Sequence, residues 1–169
     1  EARSREGAFA LDLFLGTGTS GCGYALRRIH HVRVVCVDRD CSVEYMRRML
    51  PRRFWARVML IKDDIRQVTA KALCQRARLV WPDFKLSKVR MVHASPSCRT
   101  YSPADRGFSK HRGAGGRPLT RRARDDDDAT SHAVELIEHV SRHAPGALVT
   151  IENPRSRWFK LVPCIARLI

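Results

Sequence analysis

The stretch FALDLFLGTGTSGCG, residues 9–23, decides the fold of this chain. Residues 9–14 are apolar apart from one aspartate, which is typical of a strand buried in a sheet. Glycines then recur through residues 16–23, and the sequence YALRR that follows predicts a helix. A strand that leads through a glycine-rich turn into a helix is the opening unit of a parallel α/β sheet, so we expect that architecture.

The same alternation of strand and helix continues along the rest of the chain. Apolar runs predict further strands that end near residues 37, 62, 95 and 151, and helical patterns predict helices over 41–50, 66–80 and 128–144. Near-continuous apolar runs such as VRVVCV indicate strands covered on both faces. Five strands alternating with helices therefore predict a doubly wound, mostly parallel, Rossmann-like sheet in a single domain over residues 1–169.

Polar residues follow several of these predicted strands directly. Ligands of doubly wound sheets bind at the carboxyl ends of the strands. Because these ends share one edge of the sheet, we expect the polar residues to meet in one crevice, although they are far apart in sequence.

The composition indicates an intracellular protein that meets a polyanion. The 169 residues include 32 Lys and Arg against 17 Asp and Glu, a net charge of +15, and such a balance is most often found with nucleic acid. An arginine-rich proteome is the alternative explanation. We find no signal peptide, no membrane-spanning run and no zinc spacing among the six cysteines, so we expect reduced thiols, no metal and no membrane contact.

The first half of the expected crevice has the residues of an adenosine site. Gly16 and Gly18 follow the first strand, where glycine lets the backbone approach a ligand at a helix N-terminus. Asp38, 20 residues beyond Gly18, ends the second strand and can bind ribose hydroxyls. Asp64 ends the third strand and can reach an adenine amino group. The alternative explanations are a tight strand–helix turn for the glycines and helix N-caps for Asp38 and Asp64. A dinucleotide and S-adenosylmethionine both fit this pattern of residues.

Five motifs in order resemble the DNA cytosine-5 methyltransferase family. DLFLGTG is similar to its DLFxGxG, VDRD and DDIRQV are similar to its second and third motifs, SPSCRTYSPADRG is similar to PCQxFSxAGxxxG, and TIENPRS is similar to the ENV motif. The matches cover residues 9–157, and Cys98 precedes Glu152 by 54 residues, a normal spacing for that family.

The resemblance implies an S-adenosylmethionine-dependent methyltransferase fold that acts on DNA, in a nucleus or nucleoid. It implies that Cys98 is the nucleophile that attacks cytosine C6, that Glu152 holds and protonates the N3 edge, and that Asn153 orients the loops of both. The residues that it implies for the cofactor are Asp12, Phe14, Gly16, Gly18, Asp38, Asp64, Ile65 and Pro96.

The chain also departs from the family pattern. Ser97 and Arg99 flank Cys98 where the family has proline and glutamine, and Pro154 replaces valine. The family's later motifs and target-recognition region are not found, so we expect the fold to be truncated and a separate chain or a further segment to recognise the target. Residues 105–128, rich in Gly, Arg and Asp, predict a mobile surface loop that closes over flipped DNA.

Two other functions remain open on the sequence. An amino-group DNA methyltransferase is one, although SPSC lacks the second proline and the aromatic residue of that motif. A non-catalytic module that binds nucleic acid or S-adenosylmethionine is the other, and it is favoured if the missing motifs are absent from the natural protein.

Overall fold

The computed structural model describes residues 7–16, 21–102, 111–153 and 157–166. It contains a five-stranded sheet in the order β3-β2-β1-β4-β5, with every neighbouring pair parallel. The strands are β1 (Phe9–Leu13), β2 (Arg33–Asp38), β3 (Val58–Lys62), β4 (Val89–Ala94) and β5 (Leu148–Ile151). The chain builds outward from β1 in both directions, so the predicted strands and the doubly wound α/β fold are confirmed.

Helices connect these strands. They are α1 (Gly21–Arg28), α2 (Val43–Met49), α3 (Ala70–Val80), α4 (Arg121–His143), α5 (Arg157–Lys160) and α6 (Pro163–Ala166). Side-chain oxygens of Ser42, Thr69 and Thr120 each accept the backbone N–H group three residues later and so begin α2, α3 and α4. The helix predicted over residues 66–80 therefore begins only after Thr69, and residues 65–67 form a separate 3-10 turn.

Both faces of the sheet are covered. Alternate residues of β2 point to opposite sides: Val34 and Cys36 pack with α1, α2 and the 3-10 turn Arg52–Arg57, whereas Val35 and Val37 pack with α3 and α4. The central strands are apolar at nearly every position because each side chain has a helical layer to contact.

The prediction of a mobile loop over residues 105–128 is wrong for residues 121–128, which form the start of α4. Arg112 and Pro118, just before the helix, form an antiparallel bridge. Residues 103–110 lie outside the described part of the chain. The helix that we predicted from residue 128 onward is therefore longer, and it begins at Arg121.

No helix within residues 7–16, 21–102, 111–153 or 157–166 combines the length and apolar character needed to cross a membrane. All six cysteines are free thiols.

Candidate functional site

The strand register brings the ends of four strands to one edge of the sheet. Leu13 at the end of β1 lies opposite Val37 of β2 and Ala94 of β4. Ala94 in turn lies opposite Ile151 of β5. The residues that follow these positions therefore emerge side by side at the carboxyl edge of the sheet.

A cleft of about 870 Å³ lies beyond this edge. Nine of the predicted site residues line it: Phe14, Gly16, Asp38, Asp64, Ile65, Pro96, Cys98, Glu152 and Asn153. Asp12 is buried within β1, below the cleft, and Gly18 falls outside the described residues. The predicted meeting of distant strand ends in one crevice is confirmed.

Two walls bound this cleft. We call residues 14–16, 37–40 and 63–66 the β1–β3 wall, because these segments follow β1, β2 and β3. We call residues 95–102 together with residues 121–129 the β4–α4 wall.

Asp38 organises the β1–β3 wall through its carboxylate. Its Oδ2 accepts the Gly16 N–H group at 2.7 Å, and its Oδ1 accepts the N–H groups of Asp40 and Cys41, each at 2.7 Å. The N-cap of α2 is Ser42, so the alternative that Asp38 is a helix N-cap is wrong. Asp38 instead fixes the glycine turn against the end of β2 while its carboxylate lines the cleft.

Phe14 begins the same wall in an unusual backbone conformation. Its φ is 77°, in the left-handed region that non-glycine residues rarely adopt. Its N–H group donates to Val37 O at 2.9 Å, and its carbonyl accepts the Ser95 hydroxyl at 3.0 Å. These bonds on both sides hold the bend at the end of β1, where strained backbone commonly marks a functional site.

Asp12 lies under the first turn of α1 and does not line the cleft. Its Oδ2 accepts the Cys22 N–H group at 2.6 Å, and its buried Oδ1 has no hydrogen-bond partner among the described residues. Burial, opposed by the bond from Cys22 and reinforced by Asp38 and Glu152, raises the pKa of this carboxyl from 3.8 to about 7. In this structure Asp12 connects β1 to α1.

Asp64 has the capping role that the sequence left open. It accepts the N–H group of Arg66, and the Arg66 guanidinium donates to both carboxylate oxygens, at 3.0 and 2.6 Å. These bonds lower the pKa of Asp64, so it is held as a carboxylate. Arg66 also contacts Asp125 of α4 at 3.2 Å and thereby joins the two walls.

Cys98 lies in the turn after β4, and its residue is exposed. Its carbonyl accepts the N–H groups of Tyr101 and Ser102, at 3.1 and 2.9 Å, which closes the turn. Cys22, Cys36, Cys41 and Cys164 are buried, and burial raises the pKa of the Cys36 thiol well above its ordinary value. Among the six thiols, Cys98 alone is both exposed and part of the cleft.

A buried polar cluster holds the Cys98 turn against α4, and sequence reasoning missed it. The Arg112 guanidinium lies 4.0 Å from the Tyr101 ring centroid and donates to Asp127 Oδ1 at 2.7 Å and to the Thr100 carbonyl at 2.9 Å. The Tyr101 hydroxyl donates to Asp127 at 2.6 Å, and the Thr100 hydroxyl donates to Asp126 at 2.7 Å. The β4–α4 wall is therefore fixed by side chains buried between its two segments.

This cluster explains why the loop prediction failed. The run DDDD at residues 125–128 has no apolar periodicity, so it has the appearance of a solvated loop. Three of its members bond to side chains of the fold: Asp125 to Arg66, Asp126 to Thr100, and Asp127 to Tyr101 and Arg112. The sequence did contain one local signal: Thr120 precedes the helix at an N-cap position.

Glu152 and Asn153 follow β5, the edge strand next to β4, and both line the cleft. The Glu152 N–H group donates to Ala94 O at 2.8 Å and extends the pairing of β5 with β4. Asn153 Nδ2 donates to Pro96 O at 3.2 Å, which joins the turn after β5 to the turn that carries Cys98. The Asn153 Oδ1 atom is buried and has no hydrogen-bond partner in the described structure.

The His93 ring lies close to the Glu152 carboxylate. Its Nδ1 atom lies 2.8 Å from Thr150 Oγ1, and its Nε2 atom lies 3.9 Å from the Glu152 carboxylate. Burial lowers the pKa of His93 although Glu152 opposes the shift, so the ring is held neutral near pH 7. The Glu152 side chain itself is 66% exposed.

Charged side chains of both signs line the cleft. The arginines are Arg39, Arg66, Arg99, Arg121 and Arg122, and the acids are Asp38, Asp40, Asp63, Asp64, Asp125, Asp126 and Glu152. Within the described ranges, no group of three or more His, Cys, Asp or Glu side chains is arranged to hold a metal ion.

Comparisons with known proteins leave the function open. No protein-family model matches this chain, and no curated protein matches it. Among solved structures it is similar to dTDP-glucose 4,6-dehydratase from Bacillus anthracis, in complex with NAD, at 9% sequence identity and a TM-score of 0.39. The similarity covers 86% of this chain and 54% of that chain, so this chain spans about half the length of the dehydratase. A TM-score this low assigns neither fold nor function to this chain. The α/β fold is established by the order and parallel pairing of its strands.

Proposed function

We propose that this chain transfers a methyl group from S-adenosylmethionine to C5 of cytosine in DNA, through a covalent adduct on Cys98. One observation carries the proposal: an exposed cysteine after β4 and an exposed glutamate after β5 line the same cleft. The hydrogen bond from Asn153 to Pro96 O ties their two turns together. Covalent addition to a ring needs a nucleophile and an acid held in one site, and this pair supplies both.

The β1–β3 wall fits the proposed cofactor. Asp38 and Asp64 present carboxylate oxygens that accept bonds from hydroxyl and amino groups, and Phe14 and Ile65 offer apolar surface to a ring. The cleft, at about 870 Å³, has room for a nucleoside beside a base. When bound, S-adenosylmethionine supplies an electrophilic methyl group.

The protein's own residues prepare cytosine to accept that group. The Cys98 thiolate forms a bond from Sγ to ring carbon C6, and the Glu152 carboxyl donates its proton to N3, so the negative charge of the addition is neutralised. C5 then has enamine character and is nucleophilic. After methylation, C5 gives its proton to solvent water, the electrons of that bond form the C5–C6 double bond, and Cys98 Sγ leaves C6 as a thiolate. N3 then returns its proton to Glu152.

The target base must leave the duplex to reach Cys98. Arg99, Arg121 and Arg122 line the cleft on the β4–α4 wall, where they can contact the phosphates beside a flipped nucleotide. Asp125 and Asp127 do not oppose this approach as free charges, because they pair with Arg66 and Arg112.

Mass spectrometry of the intact protein tests the proposal. The protein is mixed with S-adenosylmethionine and duplex DNA that carries 5-fluorocytosine in many sequence contexts. Fluorine at C5 blocks the final elimination, so we expect a stable protein–DNA adduct. Cys98→Ser should abolish this adduct, whereas Cys74→Ser, a half-buried thiol outside the cleft, should form it normally.

The cofactor is measured separately by calorimetric titration. Binding of S-adenosylmethionine without any adduct would contradict catalysis and favour the non-catalytic module. An adduct that persists in Cys98→Ser would overturn the assignment of the nucleophile. Absence of both binding and adduct would reject the methyltransferase proposal altogether.

A further inference from the structure

One helical layer of the protein is strongly basic, and the proposed chemistry does not use it. This layer consists of α1, α2 and the 3-10 turn Arg52–Arg57, which cover the same face of the sheet. It contains seven arginines: Arg27, Arg28, Arg47, Arg48, Arg52, Arg53 and Arg57. Only one acidic residue, Glu44, lies on these three elements. We call these seven arginines the basic layer.

These arginines have no acidic partner among the described residues. None of the seven forms a salt bridge with a described residue. Elsewhere arginines are paired with aspartates, at positions 33, 39, 66, 76 and 112. An arginine-rich composition alone would leave acidic residues among the arginines of every element. The layer has seven arginines and one glutamate, whereas α4 has four arginines and six acidic residues.

The layer is also preorganised. The Arg47 guanidinium of α2 lies 5.4 Å from the Trp55 ring, and those of Arg53 and Arg57 lie 4.9 and 5.1 Å from the Phe54 ring. Arg57 also donates to the Leu26 carbonyl at 3.1 Å, which brings the 3-10 turn beside the last turn of α1. Stacking of this kind leaves guanidinium N–H groups free to bind while it limits side-chain motion.

The exposed neighbours of these arginines suit phosphate. Tyr24 precedes Arg27 and Arg28 by three and four residues on α1, and Tyr45 precedes Arg48 by three on α2, so each tyrosine shares a helix face with an arginine. Tyr24 and Tyr45 are 48% and 37% exposed. Arginine and tyrosine side chains are common donors to phosphate oxygens in protein–DNA contacts.

We propose that the basic layer is a second DNA-binding surface, outside the cleft, that holds the phosphate backbone of duplex DNA without reading its sequence. Duplex DNA carries about one negative charge per 1.7 Å of its axis, which complements a broad layer of unpaired arginines. The choice of DNA over RNA rests on the proposed function. The surface itself rests only on the residues of this layer.

Fluorescence anisotropy with a labelled DNA duplex tests the surface. The variant Arg27→Gln/Arg28→Gln/Arg48→Gln/Arg52→Gln removes four exposed charges and leaves the stacked arginines intact. Its matched control, Lys71→Gln/Lys85→Gln/Arg90→Gln/Arg142→Gln, removes four exposed charges elsewhere. We expect the first variant to bind about tenfold or more weakly, with the slope of log K against log salt reduced by about 3. The control should stay within about threefold of the wild type, since its four charges lie off this layer.

The outcomes separate this inference from the proposed function. Equal weakening in both variants would show a general effect of net charge and overturn the inference, as would unchanged binding in the first variant. Tighter layer-dependent binding to an RNA duplex of the same sequence would overturn the choice of DNA. If layer-dependent binding occurs without a 5-fluorocytosine adduct, the methyltransferase proposal fails and the surface stands. If the adduct forms while the first variant binds normally, only the surface fails.

Discussion

The two walls of the cleft are held together by different kinds of contact. In the β1–β3 wall a half-exposed carboxylate, Asp38, accepts three backbone N–H groups from nearby turns. The β4–α4 wall is held by a buried guanidinium, that of Arg112, which bonds to a carboxylate, a hydroxyl and several carbonyls of the segments on either side of it. Water can replace the first kind of contact more readily than the second.

This difference indicates where each wall can change. Backbone groups near the surface lose little when a carboxylate is removed, so the β1–β3 wall should tolerate substitution and adapt to a ligand. A buried charge without its partner is costly, so the β4–α4 wall should either stay intact or be lost as a unit. We expect the Cys98 turn to be the rigid side of the site.

The largest effect is expected at the buried ion pair. Asp127→Ala should lower the free energy of unfolding by about 3–5 kcal/mol, since it leaves the buried Arg112 guanidinium without its partner, and Arg112→Met should cost somewhat less, since Asp127 is 22% exposed. The double variant should cost less than the sum of the two, because the partners act on each other. Urea denaturation measures all three. Strictly additive losses would show that the pair does not hold this wall.

The second effect concerns pH and Asp12, which is buried within β1 below the cleft. The pKa of Asp12 is raised to about 7 in the fold, above its ordinary value of 3.8, so the folded state retains a proton that the unfolded chain releases. Asp12 should therefore lower stability progressively from about pH 4 to about pH 7, with no further change above. Asp12→Asn keeps an acceptor for the Cys22 N–H group and should remove this dependence.

The gain of Asp12→Asn over the wild type should grow by about 4 kcal/mol between about pH 4 and about pH 8. Urea denaturation across this range measures it. A difference between the two proteins that does not vary with pH would contradict the assignment to Asp12.

A smaller effect is expected where α1 meets β4. A Cβ atom on Gly21 would lie 2.5 Å from Cβ and Cγ of the His93 side chain, so Gly21→Ala must displace α1 or His93. We expect a loss of about 2 kcal/mol. Gly146→Ala is the matched control, because no heavy atom lies within 4 Å of its added Cβ. Thermal unfolding compares the two, and equal shifts would refute the close contact.

The smallest effect tests the carboxylate of the β1–β3 wall. Asp38→Asn leaves only one acceptor oxygen for N–H groups that two oxygens accept now, so we expect a loss of about 1 kcal/mol. Asp40→Asn should be nearly neutral, since that side chain is exposed and its ion pair within the described ranges is with the adjacent Arg39. Urea denaturation of both variants measures the difference. A loss at Asp38 as large as that at Arg112 would remove the distinction between the walls.

The sequence predictions were accurate for features that depend on local patterns of residues, and less so for features that depend on contacts between distant residues. The strands were predictable because each central run is covered on both faces, which makes it apolar along its whole length. Their shared carboxyl edge then placed Asp38, Cys98 and Glu152 in one crevice. The roles of Asp38 and Asp64 were left open, because an aspartate that caps a turn and one that binds a ligand have the same local sequence at a strand end.

The sequence by itself determined the doubly wound sheet and the cleft at its carboxyl edge, because strand burial and strand direction leave a periodic pattern in the chain. The tertiary structure decided the partners of the polar side chains. Arg112 and Asp127 are 15 residues apart in the chain, and Arg66 and Asp125 are 59 residues apart. No local sequence pattern predicts either pair. The same holds for the basic layer, because α1, α2 and the 3-10 turn Arg52–Arg57 come together on one face of the sheet only in the folded chain. Pairing of charges depends on distance in space, which the order of residues alone does not give.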